Sequence, residues 1–316
     1  MIIDRDRVKE IFRRENIKHV DVIIILDNNC NADCKLCVAK HTIKNSSCKT
    51  LCAGFNPECL RCCDRTTGDD EFYASVNDFF SVVNGGNIRV ILSGGEPTLS
   101  ERLLPTLEIL DGYGFGQVCI ETNGAGLLHE NVADELLKRQ VQIILSRYGI
   151  TDGENNQIFN FKYGAVDENA VKVIMDKYEG LVTVSCIPLK SCVDSGDKLI
   201  EYYNYFMGLG AVDVQFNEAM FDTTLTATNK DISQYYAENA VKVTDLSQDL
   251  SKFGYEKTHD SGSAFRLMKH QCGNLEIMLT AADMSRLATE TLNSGTYSRY
   301  LIYPSGEVGT NYVEER

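Results

Sequence analysis

An alternation running through the chain constrains its fold most. Short apolar runs of strand length are each followed by a stretch with helical periodicity, six times in succession. Val20–Leu26 (V-D-V-I-I-I-L) reads as a buried parallel strand, and Ile88–Leu92, Val118–Glu121, Val141–Ser146, Leu181–Ile187 and Val212–Phe216 continue the series. Helical patterns fall at 72–84 (Val76, Phe79, Phe80, Val83), at 99–111 despite Pro105, and at 129–139, 168–178 and 197–208. Strands and amphipathic helices alternating at this size imply a parallel sheet with helices outside. Six units are too few to close an eight-fold barrel, so the pattern predicts an α/β fold, a partial (βα)6 barrel over residues 19–216. In such barrels the reactive groups sit on the loops after the strands. The unusual residues of this chain fall there.

The first of these loops carries Cys30, Cys34 and Cys37, in C-N-A-D-C-K-L-C. Thiolates spaced by three and then two residues can converge on one metal centre from a single loop. Three ligands rather than four leave one iron of a cubane cluster open for chemistry. A chain of 316 residues that is 43% hydrophobic can bury a large core. Twelve cysteines behind a start (M-I-I-D-R-D-R) that is no signal peptide point to reduced thiols and metal ligation in the cytosol rather than to disulfides. No run approaches the roughly 18 apolar residues of a membrane span. Thirty-one basic residues against 45 acidic ones, a net charge of −14, leave no footprint for nucleic acid.

Three more motifs follow strands two, three and four: Gly94-Gly95-Glu96-Pro97, Glu121-Thr122-Asn123-Gly124, and Ser146-Arg147. Adjacent glycines let a backbone approach a ligand closely, and Pro97 fixes the turn. C-x3-C-x2-C before the first helix, with G-G-E-P after the second strand, resembles the radical S-adenosylmethionine (SAM) superfamily. The resemblance implies a partial TIM-like barrel in which Cys30, Cys34 and Cys37 hold a [4Fe-4S] cluster. It further implies that Gly94, Gly95, Glu96 and Pro97 meet the amino group of SAM, with Glu121 and Asn123 in the T-N-G motif near its carboxylate and ribose. Ser146 is then expected on the ribose hydroxyls, Arg147 on the SAM carboxylate or in an ion pair with a helix at the barrel rim, and Ile187 beside the adenine. The residue before the third cysteine is usually aromatic in this family; here it is Leu36. The chemistry so implied is oxygen-sensitive. SAM chelates the open iron, and one electron from a flavodoxin- or ferredoxin-type donor releases methionine and a 5′-deoxyadenosyl radical, which abstracts a hydrogen atom.

A second group, Cys48, Cys52, Cys59, Cys62 and Cys63, lies in a cysteine-rich insertion at 38–70 without hydrophobic periodicity. Bound metal would order such a loop. A second [4Fe-4S] cluster, a structural Zn site and unliganded thiols all fit the spacing, with Cys63 as the spare ligand. Residues 1–18 are expected to form an N-terminal helix and 217–316 a small α+β extension capping the barrel. The extension should have a helix near 231–252, strands at Leu275–Leu279 and Arg299–Tyr303, and a hairpin in L-I-Y-P-S-G-E-V. Cys192 and Cys272 are candidate hydrogen donors to a substrate radical; the alternative for each is a small buried hydrophobe. Cys119 and Cys186 read as core. Tyr148, Lys190, Asn217 and Glu218 follow strands four to six and are candidate substrate contacts. The leading functional expectation is an enzyme tailoring a small polar metabolite by epimerisation, dehydrogenation or rearrangement. A peptide-modifying enzyme that forms crosslinks or epimers is the second, and a metal-binding protein without catalysis the third.

Overall fold

The computed structural model describes residues 5–12, 19–37, 68–85, 87–219, 230–262, 265–282 and 297–310. Cys48, Cys52, Cys59, Cys62 and Cys63 lie outside these residues, as does most of the insertion. The chain divides into two compact units. The first comprises residues up to 33, 37–142 and 288 onward; the second comprises 34–36 and 143–287.

The first unit opens with helix α1 (Arg5–Phe12) and then alternates as the sequence predicts. Strand β1 (His19–Ile25) is followed by α2 (Asp69–Phe80), β2 (Ile88–Ser93), α3 (Leu103–Asp111), β3 (Gln117–Thr122) and α4 (Glu130–Lys138). The helix expected at 99–111 is a single 3-10 turn (Pro97–Leu99) and then α3. Pro105 is accommodated because it falls in the first turn of α3, where a backbone N–H has no helical acceptor. Strands β1, β2 and β3 pair in parallel. On the other side of β1, strand β10 (Tyr297–Ile302) adds in parallel, and β11 (Val308–Gly309) turns back antiparallel as the predicted hairpin.

Successive strand residues point to opposite faces. The Phe79 ring of α2 packs on Tyr300 of β10, their centroids 5.6 Å apart, so Val22, which is paired with Tyr300, belongs to the face covered by helices. Val20, Val22 and Ile24 are fully buried there, with Phe72, Val76 and Phe80 of α2. Burying each such side chain is worth roughly 1.5–3 kcal/mol. The opposite face is not uniformly apolar. Asp21 is fully buried on it, accepting two hydrogen bonds from Arg89 (2.9 and 2.7 Å) with Arg299 3.7 Å away.

In the second unit β4 (Gln142–Ser146), β5 (Val182–Cys186) and β6 (Asp213–Asn217) pair in parallel. Helices α5 (Asp152–Phe159), α6 (Glu168–Lys177) and α7 (Gly196–Gly208) lie between them in sequence. Tyr202 of α7 packs edge-on against Phe216, which leaves Asp213, Gln215 and Asn217 on the face away from that helix. The long helix expected near 231–252 is two helices, α8 (Lys230–Asn239) and α9 (Val243–Lys252). Between them Ala240 bridges to Leu189, and the Val241 N–H bonds Pro188 O, so the backbone there serves the loop after β5. Strands β7 (Glu256–Asp260) and β8 (Phe265–Cys272), neither foreseen, form an antiparallel run with β9 (Leu275–Ala282), and β9 lies parallel to β6.

Candidate active site

The loop after β1 begins as an extension of the sheet. Leu26 N–H bonds Ser93 O, Gly95 N–H bonds Asp27 O (2.9 Å), and Glu96 N–H bonds Asn29 O (2.7 Å). The segment leading into Cys30 is thereby joined to the Gly94-Gly95-Glu96 segment rung by rung. The glycines make this approach possible. A Cβ on Gly94, whose φ is +141°, would stand 2.5 Å from the Asp27 carbonyl oxygen, and one on Gly95 would overlap that of Asn29. Asp27 closes the turn, with one carboxylate oxygen accepting from Asn29 N–H (2.9 Å) and the other from the Ser100 hydroxyl. Burial pushes the Asp27 carboxyl above the ordinary range.

Glu96 is 1% exposed and joins its own turn to the loop after β3. One oxygen accepts from Thr98 N–H (3.1 Å), the Thr98 hydroxyl (2.5 Å) and the Thr122 hydroxyl (2.5 Å); the other accepts from Asn123 N–H (2.8 Å). Burial raises its pKa, against the pull of these donors. Its carboxylate thus ties G-G-E-P to T-N-G. Asn123 in turn faces the first cysteine. Its amide nitrogen donates to Asn31 Oδ1 at 2.8 Å and to Cys30 Sγ at 3.9 Å, and Ala32 N–H donates to the same sulfur at 3.4 Å. Arg102, buried at the start of α3, bonds Leu26 O, Pro304 O and Asp69 and lies over the Phe72 ring at 4.3 Å. It fastens β1, the C-terminal hairpin and α2 together.

Cys30, Cys34 and Cys37 are each half-buried on this one loop. Among the described residues, no three His, Cys, Asp or Glu side chains are grouped to hold a single metal ion. A cubane cluster asks for a different spacing, because each thiolate takes its own iron at a separate corner. Three accessible thiols, one of them already receiving N–H donors, are a donor set that fits such a cluster. Leu36 is buried, and its carbonyl accepts from the Tyr236 hydroxyl of α8 at 2.8 Å. Lys35 beside it lies 5.7 Å from the Tyr235 ring.

Glu121 accepts from the Ser93 hydroxyl at 3.0 Å. Pro97 opens the 3-10 turn and is buried. Ser146 ends β4 in register with Ser185 and is half-buried, as is Ile187. Arg147 is 2% exposed, and its guanidinium bonds Gly149 O, Val166 O, Ile150 O and Asp152 in the first turn of α5. Those partners hold the loop after β4, and a bidentate carboxylate would have to displace some of them. Tyr148 is buried, stacked on Phe159 with ring centroids 4.7 Å apart. Asn217 donates to Ser185 Oγ (2.9 Å) and accepts from Thr280. Glu218 accepts the Val243 N–H at the start of α9, and Lys190 is exposed with its ammonium on Glu238 O.

Cys192 is 4% exposed in the turn after β5, and burial pushes its thiol up. Cys119 and Cys186 are strand core as expected, the former with its thiol pushed up to about 12. Cys272 ends β8 opposite Leu275, the first residue of β9. Since β9 runs parallel to β6, this is the end of the strands opposite to Asn217, roughly 16 Å along β9 from Thr280 at about 3.3 Å per residue. Sequence reasoning passed over Asp27, Asn31, Thr98, Ser100 and Arg102. The run Asp27-Asn28-Asn29 between a strand and a cysteine was the available signal, because Asx side chains fold back on their own turns.

No protein-family model matches the chain, and no curated protein sequence matches it. Solved structures do. SuiB from Streptococcus suis bound to precursor peptide SuiA superimposes with a TM-score of 0.53 at 11% identity, over 97% of this chain and 62% of that one. SuiB bound to S-adenosylmethionine gives 0.53 at 12% identity, over 97% and 63%. Coproporphyrinogen III oxidase (HemN) from Escherichia coli, a radical SAM enzyme, reaches 0.47 at 12% identity over 80% and 57%, a likeness too loose to argue from. The chain therefore has the α/β fold of SuiB, and it spans a little over three fifths of that protein's length.

Proposed function

We propose that this chain is a radical SAM enzyme. One observation carries the reading. Three motifs far apart in sequence, the segment into Cys30, Gly94-Gly95-Glu96 and Thr122-Asn123, are interlocked by hydrogen bonds at the C-terminal ends of β1, β2 and β3. Cys30, Cys34 and Cys37 would hold a [4Fe-4S] cluster, and the G-G-E-P backbone would receive the methionine end of SAM. When bound, these groups supply reductive carbon–sulfur cleavage and hydrogen abstraction. The protein's part would be to hold the loops rigid and to keep water out. The electron donor is of flavodoxin or ferredoxin type.

The substrate on the leading reading is a small polar metabolite. Supporting it, the ends of β5, β6 and β9 present Ser185, Asn217 and Thr280 linked by hydrogen bonds, a polar strip suited to hydroxyl or amide groups. A second reading, a peptide substrate, is favoured by the fold shared with SuiB, which has been solved with a precursor peptide.

The test is iron, zinc and SAM cleavage measured on anaerobically reconstituted protein beside a Cys30→Ala/Cys34→Ala/Cys37→Ala variant. One cubane predicts about four irons per chain and two predict about eight. A variant that keeps about four irons yet makes no 5′-deoxyadenosine assigns a second cluster to Cys48–Cys63; one that keeps only zinc assigns a structural site. Unmutated protein that holds a cluster and makes no 5′-deoxyadenosine, with or without candidate metabolites and peptides, would sink the proposal. Mass changes in those candidates separate the two substrate readings.

A further inference from the structure

We infer that Asn123 is a positioning residue for the cluster rather than a contact for SAM: its amide N–H is aimed at the Cys30 sulfur and raises the reduction potential of the cluster bound there. The inference rests on the proposed [4Fe-4S] site. The Asn123 side chain is 7% exposed, and both ends of it are engaged. Its oxygen accepts from Ala125 N–H at 3.1 Å, and its nitrogen donates to Asn31 Oδ1 at 2.8 Å. Those two bonds fix which end of the amide is the donor, and the donor end is the one 3.9 Å from Cys30 Sγ. The backbone is fixed as well, by Asn123 N–H on Glu96. Asn31, which receives the donor, is fully buried.

A cluster gains negative charge on reduction, and much of that charge resides on sulfur. An N–H directed at a ligating sulfur therefore stabilises the reduced form more than the oxidised one, and hydrogen bonds to the sulfurs are among the determinants of cluster potential. Ala32 N–H, 3.4 Å from the same sulfur, acts in the same sense but belongs to the loop backbone. Asn123 is the side chain through which the potential is set from another loop.

The experiment is a redox titration of reconstituted protein followed by electron paramagnetic resonance, without SAM, on unmutated chain, Asn123→Ala and Asn123→Asp. Asn123→Asp keeps the shape, removes the donor and adds a negative charge that itself lowers the potential, so the neutral Asn123→Ala variant carries the size of the effect. Both variants are expected to bind the same iron as the unmutated chain, and both to show a several-fold lower reduced-to-oxidised ratio at a fixed potential. A tenfold change corresponds to about 59 mV for one electron. An unchanged potential in either variant overturns the inference, and unchanged potential with weaker SAM binding returns Asn123 to the ligand. Loss of iron from both variants also overturns it, since Asn123 would then build the loop rather than tune what the loop holds. Unmutated protein that binds no iron defeats the underlying radical SAM reading first, and is told apart by that.

Discussion

Glu96 and Glu121 lie in the motifs after β2 and β3 and differ in their hydrogen-bond partners. Both carboxyls are pushed above the ordinary range by burial. Glu96 has four donors around it, whereas Glu121 has the Ser93 hydroxyl and the more distant charges of Arg299 and Arg89, offset by Asp21. A carboxyl whose pKa is higher folded than unfolded stabilises the fold below the unfolded value, near 4.3, and that contribution is lost as pH rises through the folded value. Ionised Glu121 is thus a liability at neutral pH that a neutral isostere lacks. Glu121→Gln keeps an oxygen for Ser93 and is expected to melt higher than the unmutated chain at pH 8, with the gap closing toward pH 4.5. A gap that stays constant across that range, or that reverses, would show that Glu121 is held ionised at no cost.

At the scale of elements, α5 shows how the loop after β4 is braced. Thr151 and Glu154 form a reciprocal capping box at its start, and the next residue, Asp152, carries the ion pair to Arg147. Thr151→Ala is expected to lower stability by about 1 kcal/mol, read as a shift in the denaturant midpoint. No shift would mean that Arg147 alone orders the loop. Thr151 to Glu154 is a capping signature open to anyone reading the sequence, yet the polar helix behind it (D-G-E-N-N-Q-I-F) has little apolar periodicity and was passed over. The core β and α runs were legible because their burial writes a period into the sequence. Strand β7 (E-K-T-H-D) was not, since all of its residues are exposed and no pattern marks it. Nor was the break between α8 and α9, where Ala240 bridges to Leu189 from a distant part of the chain. The motif loops could be read from local spacing alone. What could not be read was who holds whom, such as Glu96 on Asn123, because contacts across 27 residues leave no trace in composition.

For the whole molecule, the balance of charge bears, on the proposed radical SAM reading, on how an electron would arrive. A net charge of −14 repels an acidic one-electron carrier at long range. Raising salt from about 0.05 M to about 0.5 M shortens the screening length from roughly 14 Å to roughly 4 Å, so the rate of reduction by an acidic flavodoxin should rise over that range. A rate that falls instead would reveal a local basic landing site. The backbone rungs between Asp27–Asn29 and Gly95–Glu96 have a consequence of another kind. They set the two segments in register, so neither can gain or lose a residue without shearing the other. Over the history of such a chain, variation in length would therefore be barred from the few residues before Cys30.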